Sequence, residues 1–237
     1  MPLKQIARLD DWYRFDDAGP LFITGLQALV RLLLAQSHRD RLAGRNTAGF
    51  VSGYRGSPLG GFDRELWRAG QYLDAAQIRF QPGLNEDLAA TSIWGAQQAN
   101  LFEGARYEGV FGMWYGKGPG VDRSGDPFKH GNAAGTSRYG GVIAVAGDDH
   151  TCKSSSLPHQ SEYAFIDASM PVLNPANVEE IVALGLYGYA MSRFSGCWVG
   201  LKVTQETADA TQSFAFLPQA GRDGSAPATG GRALANR

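Results

Sequence analysis

The sequence predicts an α/β domain built on a single doubly wound, mostly parallel sheet with helices on both faces. Two observations support this prediction. Short apolar segments alternate along the chain with longer segments that have helical periodicity. The short segments lack a clean alternation of apolar and polar residues, which is typical of strands that are covered on both faces.

The expected helices carry recognisable signals at their ends. Thr24 can cap the first helix, and Gly44 would stop it. Asn85 can cap another, with Glu86 and Asp87 in its first turn, where the helix dipole favours negative charge. That helical pattern runs to about residue 103. The remaining helical patterns cover residues 62–73 and 177–194, and Gly196 would end the last.

The strand candidates are short, and apolar runs such as residues 32–35 are far too short to cross a membrane. They cover residues 48–52, 78–80, 109–115, 141–146, 170–173 and 197–203. The strands at 48–52, 109–115 and 142–146 are expected to be neighbours in the sheet. We see no internal repeat.

Composition excludes several classes of protein. The chain has 237 residues and a formal net charge of −1, so it offers no surface suited to nucleic acid or anionic membrane. Cys152 and Cys197 form no C-x-x-C pair, which argues against zinc, an iron–sulfur cluster and a disulfide framework. The first 17 residues lack the apolar core of a signal peptide. We therefore expect a cytoplasmic protein that binds neither nucleic acid nor membrane.

The chain divides into three segments. Residues 1–19 are expected to be an N-terminal extension, and residues 20–216 a single domain. Residues 217–237 are rich in Ala, Gly and Arg and have no periodic apolar face, so we expect a disordered tail.

Three polar, glycine-marked loops each follow a predicted strand. They cover residues 52–60, 115–123 and 147–156. Because the carboxyl ends of parallel strands share one edge of a sheet, these loops would converge there with Glu86, where ligands bind in open α/β folds. None has the spacing of a P-loop or a dinucleotide fingerprint. For any one loop taken singly, a plain connector is a simpler interpretation than a ligand-binding loop.

Five blocks of the sequence resemble one protein family by their order and spacing. They are Ser52-Gly53-Tyr54-Arg55-Gly56-Ser57-Pro58, the helix start Asn85-Glu86, and residues 117–127, 141–149 and 171–177. Together they resemble the thiamine-diphosphate pyrimidine-binding domain of indolepyruvate:ferredoxin oxidoreductases, within the wider 2-oxoacid:ferredoxin oxidoreductase group. The resemblance covers about residues 20–210.

The resemblance implies roles for five residues. Glu86 matches the catalytic glutamate that hydrogen-bonds a ring nitrogen of the aminopyrimidine and promotes deprotonation of the thiazolium carbon. Gly56, Ser57 and Pro58 match a loop that contacts the cofactor, and Ser57 would also contact the 2-oxo acid. Lys117 matches a lysine beside the cofactor cleft that could bind the substrate carboxylate; a solvated loop cation is the alternative interpretation.

The implied reaction is oxidative decarboxylation of a 2-oxo acid to an acyl-CoA, with ferredoxin as electron acceptor. Pyruvate-specific relatives carry an arginine where this chain has Asp148-Asp149-His150, so the resemblance favours an aryl or larger 2-oxo acid. His150 and His159 could shuttle protons, but a hydrogen-bonding role at the surface is the simpler expectation for both.

The sequence has no G-D-G…N motif for Mg²⁺ and diphosphate and no cysteine set for iron–sulfur clusters. Thiamine diphosphate would therefore be shared with a diphosphate-binding domain or subunit of the same enzyme, in an oligomer. Ferredoxin and CoA would be partners of the complete enzyme, and the chain alone would be inactive. Two alternatives stay open: a non-catalytic regulatory module that keeps the fold, and a fragment left by gene truncation.

Overall fold

The computed structural model describes residues 11–15, 20–153 and 155–215. The expected tail, residues 217–237, and most of the expected N-terminal extension lie outside these residues. The domain boundaries and the disorder of the tail therefore stay predictions.

Strands and helices alternate through the first half of the described chain. They are β1 (Pro20–Thr24), α1 (Gly25–Leu42), β2 (Thr47–Gly53), α2 (Phe62–Arg68), α3 (Gly70–Ala75), β3 (Ile78–Phe80), α4 (Glu86–Gln97) and β4 (Gly109–Lys117). A 3-10 turn, Ala99–Leu101, follows α4.

The same alternation continues to the end of the described residues. The elements are α5 (Gly118–Arg123), α6 (Gly125–Ala134), β5 (Val142–Asp148), α7 (Glu162–Asp167), β6 (Val172–Leu173), α8 (Val178–Ser195), β7 (Val199–Thr204), α9 (Gln205–Asp209) and β8 (Thr211–Ala215).

Six strands form one parallel sheet in the order β3-β2-β4-β5-β7-β6. Strands β2, β4 and β5 are neighbours, as the sequence predicts. One apolar core lies between the sheet and helices α1, α2 and α8, and a second lies between the opposite face and α4, α6 and α7. Every residue of β5 is buried. Covering on both faces explains why its sequence is apolar throughout, and the predicted fold class is confirmed.

The helix caps form where the sequence predicts them. The Thr24 hydroxyl accepts a hydrogen bond from the backbone N–H of Gln27, and the Asn85 side chain accepts one from the N–H of Leu88. Gly196 ends α8 in the left-handed conformation, with φ of +81°. Each of these signals acts within three or four residues of chain, so the local sequence is sufficient to specify it.

Three local predictions were wrong in detail. The helix expected over residues 62–73 is two helices, α2 and α3, which meet at Ala69. Helix α4 ends at Gln97, several residues before the expected end. The expected loop at residues 115–123 instead contains the end of β4 and all of α5, because Pro119 lies at the first helical turn, where its missing N–H costs nothing.

Strands β1 and β8 form a separate antiparallel pair that the sequence analysis did not predict. Pro20 pairs with Ala215 at one end and Thr24 with Thr211 at the other. This pair joins the first and last described strands of the domain. Among the described residues, no helix combines the length and apolar character needed to cross a bilayer.

Part of the expected N-terminal extension packs on the domain. The buried Arg31 of α1 donates a hydrogen bond from Nη1 to the carbonyl oxygen of Trp12, over 2.6 Å. Its guanidinium carbon lies 3.6 Å from the ring centre of Phe15. These contacts hold residues 12–15 against α1.

Candidate functional site

The carboxyl ends of β2, β4, β5 and β7 share one edge of the sheet. Residues Gly53, Lys117, Asp148 and Thr204 end these four strands. The residues that follow them are the loop over residues 54–61, helix α5, the segment that leads to α7, and helix α9. The three glycine-marked regions of the sequence therefore do converge, as predicted.

Glu86 enters this edge as the first residue of α4. The N-terminus of the helix is held by two hydrogen bonds: the Asn85 cap, and a bond of 2.9 Å from the indole Nε1 of buried Trp114 to the Glu86 carbonyl oxygen. Glu86 is itself buried, with 8% of its surface exposed. The Glu86 side chain is therefore buried at the N-terminus of α4, which these two hydrogen bonds hold in place.

Gly120 makes room for that carboxyl group. A Cβ atom at Gly120 would lie 2.6 Å from the Glu86 Cγ and 2.8 Å from its Oε1. A Cβ atom at Gly116 would meet the Trp114 indole, 2.7 Å from its Cη2, and would lie at an ordinary contact distance of 3.5 Å from the Glu86 Cγ. No other residue type fits at position 120 unless the carboxyl group moves.

Arg123, at the end of α5, is the charged neighbour of the Glu86 helix. Its Nη1 lies 4.0 Å from the Glu86 Oε2, and its Nε donates to the Asp87 Oδ1 over 3.2 Å. Within the described part of the chain, no donor lies within hydrogen-bond distance of the Glu86 carboxyl oxygens. Arg123 therefore hydrogen-bonds Asp87, whereas it reaches Glu86 only as a charged neighbour at 4.0 Å.

The loop that contains Gly56, Ser57 and Pro58 lies over the ends of three strands. A Cβ atom at Gly56 would lie 2.8 Å from the Lys117 Cδ, so the loop backbone rests on the lysine stem. Pro58 packs on Gly147 of β5, where a Cβ atom would lie 3.0 Å from the Pro58 Cδ. Ser57 Oγ donates to the Gln205 Oε1 at the start of α9, over 3.1 Å.

Lys117 ends β4 and precedes α5. Successive side chains of a strand point to opposite faces, so Gly116 faces Glu86 whereas Lys117 faces Gly56. Glu86 and the loop of Gly56, Ser57 and Pro58 therefore lie on opposite sides of the sheet and approach each other at the end of β4. Among the described residues, no hydrogen bond or ion pair joins the Lys117 ammonium group to Ser57, Glu86 or any other side chain.

Asp148 has a structural role that the sequence analysis did not identify. It is fully buried at the end of β5. Its carboxylate accepts hydrogen bonds from the Ser161 Oγ, over 2.5 Å, and from the Ser161 backbone N–H, over 2.9 Å. The Nζ of Lys202 lies 3.9 Å away. Asp148 thus ties the segment before α7 to the end of β5.

His159 is half-buried and has hydrogen-bonding contacts, as the sequence analysis expects of it. Its side chain is 18% exposed, with Nε2 2.8 Å from the Asp122 Oδ2 and Nδ1 3.7 Å from the Asp148 Oδ1. The ring packs on the backbone of Gly118, where a Cβ atom would lie 2.2 Å from the His159 Cγ. His150 is exposed, as expected. Tertiary contacts alone reveal that His159 joins α5 to β5.

An open cleft of about 580 Å³ lies beside His159. Lys202, Tyr163 and His150 are among the residues that line it. Lys202 is buried and hydrogen-bonds the Glu162 carboxylate at the start of α7. Burial by itself would raise the pKa of Glu162, but the hydrogen bond and charge of Lys202 lower it below its ordinary value.

Comparisons with known proteins show a likeness of structure only. No protein-family model and no curated protein matches the chain. A solved structure that does match is the 2-oxoglutarate:ferredoxin oxidoreductase from Magnetococcus marinus with 2-oxoglutarate, coenzyme A and succinyl-CoA bound. The TM-score is 0.62 at 16% sequence identity, over 83% of this chain.

This chain spans 31% of the length of that neighbour. At such low identity the likeness establishes the fold and leaves the reaction open. The fold is one that an enzyme of the 2-oxoacid:ferredoxin oxidoreductase group contains, and the six-stranded parallel sheet is consistent with a thiamine-diphosphate pyrimidine-type domain.

Proposed function

We propose that the chain is the pyrimidine-side domain of a thiamine-diphosphate-dependent 2-oxoacid:ferredoxin oxidoreductase of the indolepyruvate, or arylpyruvate, type. The observation that carries the proposal is the Glu86 carboxyl group, which is buried, glycine-lined and without a protein hydrogen-bond donor among the described residues. It lies at the edge of the sheet where ligands bind in this class of fold.

The residues present fit one half of the cofactor. When bound, thiamine diphosphate supplies the carbanion chemistry through its thiazolium carbon. Glu86 would hydrogen-bond a ring nitrogen of the aminopyrimidine and hold or release a proton there, which is the work of a positioned general acid–base. Gly56, Ser57 and Pro58 would border the cofactor on the opposite side of β4.

We assign the diphosphate, Mg²⁺ and the iron–sulfur clusters to a partner domain or subunit, because the sequence offers a motif for none of them. Ferredoxin and CoA would bind to the complete enzyme. The overall reaction would be the oxidative decarboxylation of a 2-oxo acid to an acyl-CoA, and this chain alone would not catalyse it.

The substrate carboxylate would bind to Lys117, whose ammonium group lies at the same edge without a carboxylate partner in the described residues. The stretch Asp148-Asp149-His150 supports this assignment indirectly, because it contains no arginine, whereas the resemblance implies one there in pyruvate-specific relatives. Tyr54 and Leu84 are exposed, and the residues that precede them are in contact, since the Gly83 N–H donates to the Gly53 carbonyl oxygen over 2.8 Å. Tyr54 and Leu84 would border an aryl side chain.

The test is ferredoxin reduction by this chain combined with a diphosphate-binding and an iron–sulfur partner, with CoA present. Indolepyruvate and phenylpyruvate should support the reaction, and pyruvate and 2-oxoglutarate should support it at least tenfold less well. Equal rates with pyruvate would contradict the substrate assignment. A complex that binds thiamine diphosphate but reduces no acceptor with any 2-oxo acid would favour a non-catalytic module.

A further inference from the structure

The hydrogen bonds of Gln205 indicate the direction of the Ser57 hydroxyl proton. Ser57 Oγ donates to the Gln205 Oε1 over 3.1 Å. A hydroxyl group has one proton and two lone pairs, so a serine that donates to one partner can only accept from others. Toward the open edge of the sheet, Ser57 therefore presents an acceptor.

The direction of this bond depends on the orientation of the Gln205 amide. A glutamine side chain can turn over and exchange its oxygen with its nitrogen, so the neighbouring groups must select one orientation. Asp209, one helical turn further along α9, accepts a hydrogen bond from the Gln205 Nε2. The reversed amide would bring its oxygen against the Asp209 carboxylate with no proton between them, which is unfavourable.

Asp209 also has a cationic neighbour. The Lys153 Nζ, in the segment after β5, lies 3.9 Å from the Asp209 Oδ2. The resulting chain of contacts runs from Lys153 through Asp209 and Gln205 to Ser57. It links the residues that follow β5, β7 and β2.

We infer that Asp209 and Gln205 are positioning residues that make Ser57 a hydrogen-bond acceptor, so that the site selects a ligand that presents an N–H group at this point. The inference rests on the proposed function only for the identity of the ligand. Under the proposed function, the N–H group has two possible sources: the amino group of the aminopyrimidine and the ring N–H of an indole substrate. The carboxylate and keto oxygens of a 2-oxo acid are acceptors, so Ser57 would not bind them.

The first experiment needs no ligand. In the full chain labelled with ¹⁵N-glutamine, the side-chain amide resonances of Gln205 should move on Asp209→Asn, because the amide loses its charged acceptor. Asp126→Asn is the control, since it removes an exposed carboxylate whose ion-pair neighbour is His130 and should leave these resonances in place. Unchanged Gln205 resonances in Asp209→Asn would overturn the positioning role.

The second experiment measures ligand preference in the chain assembled with its diphosphate-binding partner and Mg²⁺. The probes are thiamine diphosphate and oxythiamine diphosphate, in which a carbonyl oxygen replaces the amino group. Gln205→Leu frees the Ser57 proton, so it should reduce the preference for thiamine diphosphate by about tenfold, the scale of one mismatched hydrogen bond. Gln205→Glu combined with Asp209→Asn keeps an acceptor toward Ser57 and a hydrogen bond between residues 205 and 209, so this double variant should retain the preference.

A third measurement separates the two sources of the N–H group. If the indole supplies it, Gln205→Leu should raise the KM for indolepyruvate and leave both the KM for phenylpyruvate and the preference between the two cofactors unchanged. An identical preference in wild type, Gln205→Leu and Ser57→Ala, for cofactors and substrates alike, would overturn the acceptor role. If wild type binds neither cofactor, the proposed function and the ligand class both fail, whereas the amide resonances still decide the positioning role.

Discussion

Gly120 and Glu86 are in such close contact that a single methyl group at residue 120 would lie 2.8 Å from the Glu86 Oε1. Gly120 belongs to α5, which lies between the end of β4 and α6. As a glycine it places no side-chain atom beside the Glu86 carboxyl group. Its effect is to let the backbone of α5 form one wall of the space around the carboxyl group.

Gly120→Ala should therefore displace the Glu86 carboxyl group and slow the reaction of the assembled enzyme by about 10²-fold, the scale of a misplacement near 1 Å. Gly125→Ala is the matched control, because a Cβ atom there meets nothing within 4 Å. Steady-state kinetics would check both variants. Equal rates for Gly120→Ala and wild type would show that the space around the Glu86 carboxyl group tolerates a methyl group.

Glu86→Gln should leave the fold nearly intact and slow arylpyruvate decarboxylation by about 10²–10⁴, the usual scale for the loss of a positioned acid–base group. Asp87→Asn should have a far smaller effect, since Asp87 is bonded to Arg123 on the outer side of the helix. Single-turnover kinetics with cofactor bound would measure both. A Glu86→Gln enzyme as fast as wild type would assign the carboxyl group a structural role only.

The isolated chain should bind thiamine diphosphate weakly or not at all, because only contacts to the pyrimidine side come from its own residues. Titration calorimetry with Mg²⁺ would measure this. Tight, Mg²⁺-dependent binding would place a diphosphate site within this chain and refute the division between two domains.

Arg193→Met should destabilise the domain by about 3–5 kcal/mol, because it leaves the buried Asp40 carboxylate without its main counter-ion. Arg193 binds both oxygens of Asp40, over 2.6 and 2.7 Å, and joins α8 to α1. Lys129→Met removes the exposed pair with Asp167 and should change the free energy of unfolding by less than about 1 kcal/mol. Urea unfolding of both variants would test the contrast.

The lowered pKa of Glu162 predicts a pH dependence of stability. A carboxyl group whose pKa is lower in the folded than in the unfolded state stabilises the fold above its unfolded pKa, which is about 4.3 for glutamate. That contribution is lost as the pH falls through the folded pKa. An NMR titration of Glu162 should show its pKa below the ordinary value, and Lys202→Met should raise it. An unchanged pKa in Lys202→Met would mean that Lys202 does not lower it.

Local signals in the sequence predicted the fold class because each acts over a few residues. The caps at Thr24 and Asn85 depend on a side chain and a backbone group three positions apart. The apolar strands could be recognised because both faces of the sheet are covered, which removes the polar alternation. Even the edge at which Glu86 would lie could be inferred, since parallel strands place their carboxyl ends together.

Tertiary structure alone decided which groups meet at that edge. The pairing of β1 with β8, the contact of His159 with Gly118 and the bond from Ser57 to Gln205 all join residues that no local pattern relates. The glycines at 116, 118 and 120 predicted a loop, because glycine is a poor helix former. In the structure they allow β4 to pass directly into α5, since close packing against Trp114, His159 and Glu86 leaves no room for a side chain at residues 116, 118 and 120 respectively.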